Sequence, residues 1–169
     1  YYSIADNGAF TTHTTALSTV SSGNVPPGCS LSGGVLTVNT PGQTLTGWYI
    51  PYQLMIRANN VTMNQCAVVT SGIDAVNPAQ SWLSGYPQET GFVMNDSYVS
   101  GGTVAGDYHC FRGDFYELHG VTAIGSTHPF LMEEGVWLYD CFGQPRGSVD
   151  SNHQETFFYD GSPHALGSN

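Results

Sequence analysis

Apolar positions along the chain fall in short alternating or β-branched runs rather than at helical spacing. Val35-Leu-Thr-Val38, Thr44-Leu-Thr46, Leu54-Met-Ile56, Val61-Thr-Met63, Phe92-Val-Met94, Val136-Trp-Leu138 and Thr156-Phe-Phe-Tyr159 each read as a strand bounded by turn residues. The intervals are broken by 9 prolines and 21 glycines. Few uninterrupted windows reach the roughly 10–12 residues that a helix requires. The pattern predicts an all-β chain.

The strands also repeat. Asn60-Val-Thr-Met-Asn-Gln-Cys66, Gly91-Phe-Val-Met-Asn-Asp-Ser97, Asp114-Phe-Tyr-Glu-Leu-His-Gly120 and Gly135-Val-Trp-Leu-Tyr-Asp-Cys141 can be laid over one another. Each runs from a small or polar residue through an apolar strand to a polar pair and a small residue. Their first residues are 31, 23 and 21 positions apart, and a further 21 reaches Thr156. Repeats of this length with no helical half indicate a parallel β-helix of about 5–6 coils of 21–23 residues. The long first step implies an insertion within Gly72–Tyr86 that would project Trp82 and Tyr86 from one face.

Stacked coils turn equivalent positions into ladders with about 4.8 Å between rungs. Cys66, Ser97 and Cys141 are expected in one column, with Gly120 close by. Val61, Phe92, Phe115 and Val136 are expected inward in another, and Ile56, Cys110 and Leu131 in a third. Cys66 and Cys141 would then be about 14 Å apart, too far for a disulfide. These two and Cys110 read as reduced core residues, and Cys29 has no assignable partner. The four cysteines have no CxxC pair, which argues against zinc. Asn60-Val-Thr62 and Asn95-Asp-Ser97 fit the glycosylation sequon, but asparagine is also favoured at tight β-helix corners.

Composition narrows the partners. Only 9% of the 169 residues are charged, with three arginines, no lysine, 13 acids and a formal net charge of -10. Soluble proteins ordinarily carry about 25% charged residues. A chain this poor in cations is a weak match for nucleic acid or an anionic membrane surface. No run approaches the roughly 20 apolar residues of a membrane helix. The low charge and abundant Thr, Ser, Gly and Asn suit an extracellular, cell-surface or virion setting. The start at Tyr1, without Met, suggests a mature or excerpted chain.

Several segments carry a family resemblance. Asn24-Val-Pro-Pro-Gly-Cys-Ser-Leu31 is similar to a "VPxGTxL" entry segment, and Val38-Asn-Thr-Pro-Gly-Gln-Thr-Leu-Thr-Gly47 to the first-coil strand that follows it. Arg57-Ala-Asn-Asn-Val-Thr-Met-Asn-Gln-Cys66 resembles an "ADNVTIRNS" coil, and Asn95-Asp-Ser-Tyr-Val99 an "EDSYV" turn. Together they resemble right-handed parallel β-helix proteins, pectate-lyase-like in fold, of actinobacteria and their phage tails. The resemblance implies a β-helix domain over residues 24–161, an N-terminal extension over 1–23, and a tail or link to further coils over 162–169. Where members often carry "SHNDGIQ", this chain reads Ser151-Asn-His-Gln-Glu-Thr156.

Chemistry concentrates late in the chain. Asp6 and Asp74 are the only acids before residue 89, and the other eleven lie between Glu89 and Asp160. Coil stacking should bring Asp107–Asp114, Ser126–Glu134 and Asp150–Glu155 onto neighbouring rungs. Three readings compete for this patch. Glycoside hydrolysis needs two carboxylates about 5–9.5 Å apart, with Asp107, Asp114, Glu133, Asp150 and Glu155 as candidates. A polysaccharide lyase would use Arg112 or His128 as base and ask for calcium on the acids, and is the weaker enzymatic reading. Non-catalytic glycan binding would draw on Tyr108, His109, Arg112, His128 and His153, with Trp82 and Tyr86 on the insertion. The preferred expectation is a structural module that presents a glycan- or host-surface-recognition face, with no cofactor and no metal. A polysaccharide-degrading enzyme is the alternative. Open coil ends suggest further copies or structural chains of an assembly as partners.

Overall fold

A computed structural model describes residues 2–4, 10–12, 16–70, 74–78, 90–101, 109–132, 135–145 and 157–159. All regular structure among them is strand. An antiparallel pair, β1 (Tyr2–Ile4) and β2 (Phe10–Thr12), precedes three stacked sheets. The first sheet holds β3 (Ser18–Thr19), β7 (Trp48–Ile50), β10 (Ala67–Val69), β13 (Tyr98–Ser100), β16 (Thr122–Ile124) and β19 (Phe142–Gln144). The second holds β4 (Cys29–Ser32), β5 (Val35–Val38), β8 (Gln53–Ile56), β11 (Val76–Asn77), β14 (His109–Gly113), β17 (His128–Met132) and β20 (Phe157–Tyr159). The third holds β6 (Thr44–Thr46), β9 (Thr62–Asn64), β12 (Phe92–Asn95), β15 (Tyr116–His119) and β18 (Trp137–Tyr139). Apart from the β4–β5 hairpin, every pairing in the three sheets is parallel, and the chain visits them in rotation. This is a parallel β-solenoid.

The structure has about four turns rather than five to six. Tyr49, Ala67, Tyr98, Thr122 and Phe142 share one column. The turns are therefore 18 (49 to 67), 31 (67 to 98), 24 (98 to 122) and 20 (122 to 142) residues long. The extra length of the 31-residue turn falls largely between Asn77, which ends β11, and Phe92, which begins β12. Trp82 and Tyr86 lie there, outside the described residues.

Strand alternation builds the core. Inward columns run Ile50–Val68–Val99–Ala123 in the first sheet, Leu36–Leu54–Val76–Phe111–Phe130 in the second and Leu45–Met63–Met94–Leu118 in the third, and all of these residues are buried. Phe111 stacks on Phe130 at 5.7 Å and on Tyr116 at 5.8 Å between ring centroids. Such offset aromatic contacts add to the hydrophobic gain of burial.

Two ladder assignments need correction, and a third gains a member. Phe92 pairs with Tyr116, not Phe115, so the third repeat is displaced by one residue. Because strand side chains alternate, that single step reverses which ring enters the core. Tyr116 is the buried member, donating its hydroxyl to the Leu131 carbonyl at 2.8 Å, while Phe115 sits half-buried at a corner. The column containing Cys66, Ser97 and Cys141 is accordingly completed by Val121, with Gly120 at the preceding corner. Ile56, Cys110 and Leu131 are all buried, but they occupy different rows, since Arg112 pairs with Leu131 and Ile56 with Val38.

The corners follow a regular rule. Gly47, Gln65, Asp96, Gly120 and Asp140 close the third sheet, and all five have φ between 45° and 71°. The left-handed backbone turns the chain sharply while its N–H still points along the stack. Gly47, Gln65, Asp96 and Gly120 donate to the carbonyls of Asn64, Asn95, His119 and Tyr139 on the next rung, at 2.9–3.1 Å. Glycine, asparagine and aspartate suit this geometry better than most residues. The cysteines are reduced, with Cys66 and Cys110 buried and Cys29 and Cys141 half-buried.

Candidate functional site

The late-coil patch assembles around strands of the second sheet. His109 on β14 pairs in register with His128 on β17, as coil stacking predicts, and their rings stack at 5.5 Å. Both are buried. The carboxylate that meets His109 is Asp74, just before β11. Its Oδ1 accepts from the His109 backbone N–H at 2.9 Å and lies 3.0 Å from His109 Nδ1. Arg112 Nη1 donates to Oδ2 at 3.2 Å. An ionised carboxylate only accepts, so the proton between them resides on Nδ1. Burial alone would raise the Asp74 pKa. The hydrogen bonds and charge of His109, with Arg112, outweigh it and hold the carboxyl below its ordinary value.

Asp74 was not among the sequence candidates. Val76 pairs with Phe111, which sets Asp74 in the same column as His109. The clue was its isolation as one of two acids in the early half, but using it required the register across a long, irregular turn. Asp114, the catalytic candidate within the described residues, is fully buried. It is engaged in an interaction of its own. Asp107, Tyr108, Glu133, Asp150, His153 and Glu155 lie outside the described residues, as do Trp82 and Tyr86. What the described members form is a carboxylate–imidazole–guanidinium tie between successive turns, set mostly inside the wall.

A second constellation lies on the outer face of the third sheet, where alternation turns the polar positions to solvent. One column runs Thr44, Thr62, Val93, Glu117, Trp137, and the other Thr46, Asn64, Asn95, His119, Tyr139. Trp137 is 61% exposed and Tyr139 45%, the two exposed large hydrophobic side chains among the described residues. They share β18 and, being two residues apart, one face of it. His119 stacks on Tyr139 at 4.6 Å with 8° between the rings, and its Nε2 lies 2.6 Å from Glu117 Oε1. Asn95 Nδ2 donates to Asn64 Oδ1 at 2.8 Å.

Chemically, this face combines flat apolar rings with amide, imidazole and carboxylate groups at fixed intervals. Such a set can pack against the apolar side of a pyranose and hydrogen-bond its hydroxyls. Sequence reading singled out none of Glu117, His119, Trp137 or Tyr139 as site residues. Val136-Trp-Leu138 registered only as a strand, although its alternation already turns Trp137 opposite to Val136 and Leu138. No protein-family model, curated protein or solved structure matches the chain.

Proposed function

We propose that this chain is a structural β-helix module, displayed outside cells or on a virion, that presents the outer face of its third sheet for recognition of a surface glycan. The exposed Trp137–Tyr139 pair beside His119 and Glu117 carries the reading. Scattered exposed apolar residues are ordinary on a soluble protein. Two aromatic rings on one strand face, backed by a stacked imidazole and a carboxylate in contact with it, form an organised platform. The module works within an assembly of further copies or structural chains, in line with the open ends of a solenoid.

The test is incubation with host-surface glycans, followed by separate assays for retention and for shortened products. Retention that is lost in Trp137→Ala, with the glycans intact, supports the recognition module. Shortened products that disappear in Glu133→Gln or Asp150→Asn would instead assign a polysaccharide-degrading enzyme. Retention unchanged in Trp137→Ala would remove the third sheet as the site.

A further inference from the structure

We infer that the ligand of the third-sheet face is an uncharged oligosaccharide lying along the solenoid axis, an inference that rests on the glycan-recognition reading above. Two observations carry it, one of charge and one of geometry.

Among the described residues, the face carries acids and no lysine or arginine. Glu117 lies within it, and Asp96 and Asp140 are exposed at its corner. The chain has no lysine, and the two arginines among the described residues lie elsewhere, Arg112 on β14 of the second sheet and Arg57 just beyond β8. A glycan bearing carboxylates or sulfates would meet like charge with no lysine or arginine of the described residues on this face to offset it, which opposes both encounter and binding. Neutral hydroxyls, which donate as well as accept, suit Glu117, Asn64 and Asn95.

The polar groups extend along the stack rather than across it. Asn64, Asn95, His119 and Tyr139 occupy four successive rungs of one column. At about 4.8 Å per rung this is a track roughly 14 Å long, room for several pyranose rings end to end. The aromatic pair marks one end. Trp137 and Tyr139 would hold a terminal ring, with His119 fixing the Tyr139 ring, while Asn95 and Asn64 take successive hydroxyls away from it. The Glu117–His119 contact and the Asn64–Asn95 hydrogen bond set these side chains before the ligand arrives, which lowers the ordering cost of binding.

The experiment is calorimetric titration of the full chain with neutral glucose, galactose and N-acetylglucosamine oligosaccharides of two to six units. Oligogalacturonides and sialyllactose serve as anionic probes. A neutral series should bind, with affinity rising about tenfold or more from dimer to tetramer and then levelling. Trp137→Ala should weaken every length, whereas Asn64→Ala should weaken the tetramer and leave the dimer unchanged. Circular dichroism checks that each variant keeps its strands. Tighter binding of the anionic probes, or affinity independent of length, with Trp137→Ala still disruptive, would overturn this inference and leave glycan recognition standing. Absence of binding across the panel, or binding indifferent to Trp137→Ala, would overturn both.

Discussion

The imidazole of His119 lies flat against the phenol ring of Tyr139, one rung away, with 4.6 Å between centroids and 8° between planes. Parallel pairing of β15 with β18 places the two residues in direct register, and alternation turns both outward. Glu117 holds the edge of the imidazole through Nε2 at 2.6 Å. Tyr139 is therefore a ring with a restricted orientation on an exposed surface, where a lone tyrosine would sample several rotamers.

That restriction should be measurable in binding. His119→Ala is expected to weaken glycan binding by roughly three- to tenfold, the worth of one aromatic stack. His119→Phe keeps a flat ring on Tyr139 and should recover much of the loss despite removing the bond to Glu117. Calorimetric titration of both variants, with thermal melts alongside, separates a positioning role from a change in stability. Equal losses in the two would show that the imidazole contacts the ligand directly.

Asp74 should make the fold sensitive to acid. Its carboxyl is held below the ordinary value by His109 and Arg112, so the charged form is favoured in the native state. The resulting stability is fully present above the unfolded pKa of about 3.9 and is lost as pH falls through the lower native value. Asp74→Asn should cost about 1–3 kcal/mol at pH 7, because it replaces one of the two acceptor oxygens shared by His109 and Arg112 with a donor and removes the charge they meet. The gap between wild type and variant, read from urea unfolding, should narrow steadily below about pH 4. A gap that stayed constant into strong acid would show that shape, not charge, is what Asp74 supplies.

The cysteines should behave as core residues. Burial raises the thiol pKa of Cys110 and Cys141 to about 11, raises Cys29 to about 11, and shifts Cys66 upward as well. Thiolate, the reactive form, is then scarce at neutral pH. A thiol-reactive dye at pH 7.5 should label all four residues in denaturant and label Cys66 and Cys110 in the native protein only as fast as it unfolds. Fast native labelling of either, located by mass spectrometry, would contradict their burial.

The corners should be sensitive in a graded way. Gly135 has φ +64°, and a Cβ there would lie 2.6 Å from Cδ1 of Phe115 on the rung below. Gly33 in the β4–β5 hairpin has φ +58° but nothing within 4 Å of its Cβ position. Gly33→Ala should cost only the left-handed backbone penalty, about 1–2 kcal/mol. Gly135→Ala should cost that and a packing penalty of about 1 kcal/mol or more as Phe115 is displaced. Equal losses in chemical denaturation would mean that Phe115 moves aside freely.

Much of the architecture is legible in the sequence. The segments around Met63, Met94 and Leu138 were aligned correctly because each keeps the same order of polar residue, apolar strand and polar pair. The segment around Tyr116 was misaligned by one, since Phe115 and Tyr116 are adjacent aromatics and nothing local says which enters the core. The left-handed φ of Phe115 decides it, and phenylalanine is a residue that seldom adopts that conformation. The candidate site was less legible. The sequence pointed to the acid-rich late coils, where His109 and His128 do stack, yet it overlooked Asp74 and the exposed pair on β18.

The division has a simple physical origin. Strand identity, the inward set of apolar residues and the solenoid repeat depend on period-two alternation and turn residues, which are local properties of the sequence. Register depends on how much chain each corner consumes, and successive turns here take 18 (49 to 67), 31 (67 to 98), 24 (98 to 122) and 20 (122 to 142) residues. Contacts such as Asp74 with His109, 35 residues away, or His119 with Tyr139 exist only once those lengths have been resolved in space. Amino-acid order thus determined that this protein is a stack of short strands with few cations. Which side chains meet on its walls was decided by the tertiary structure.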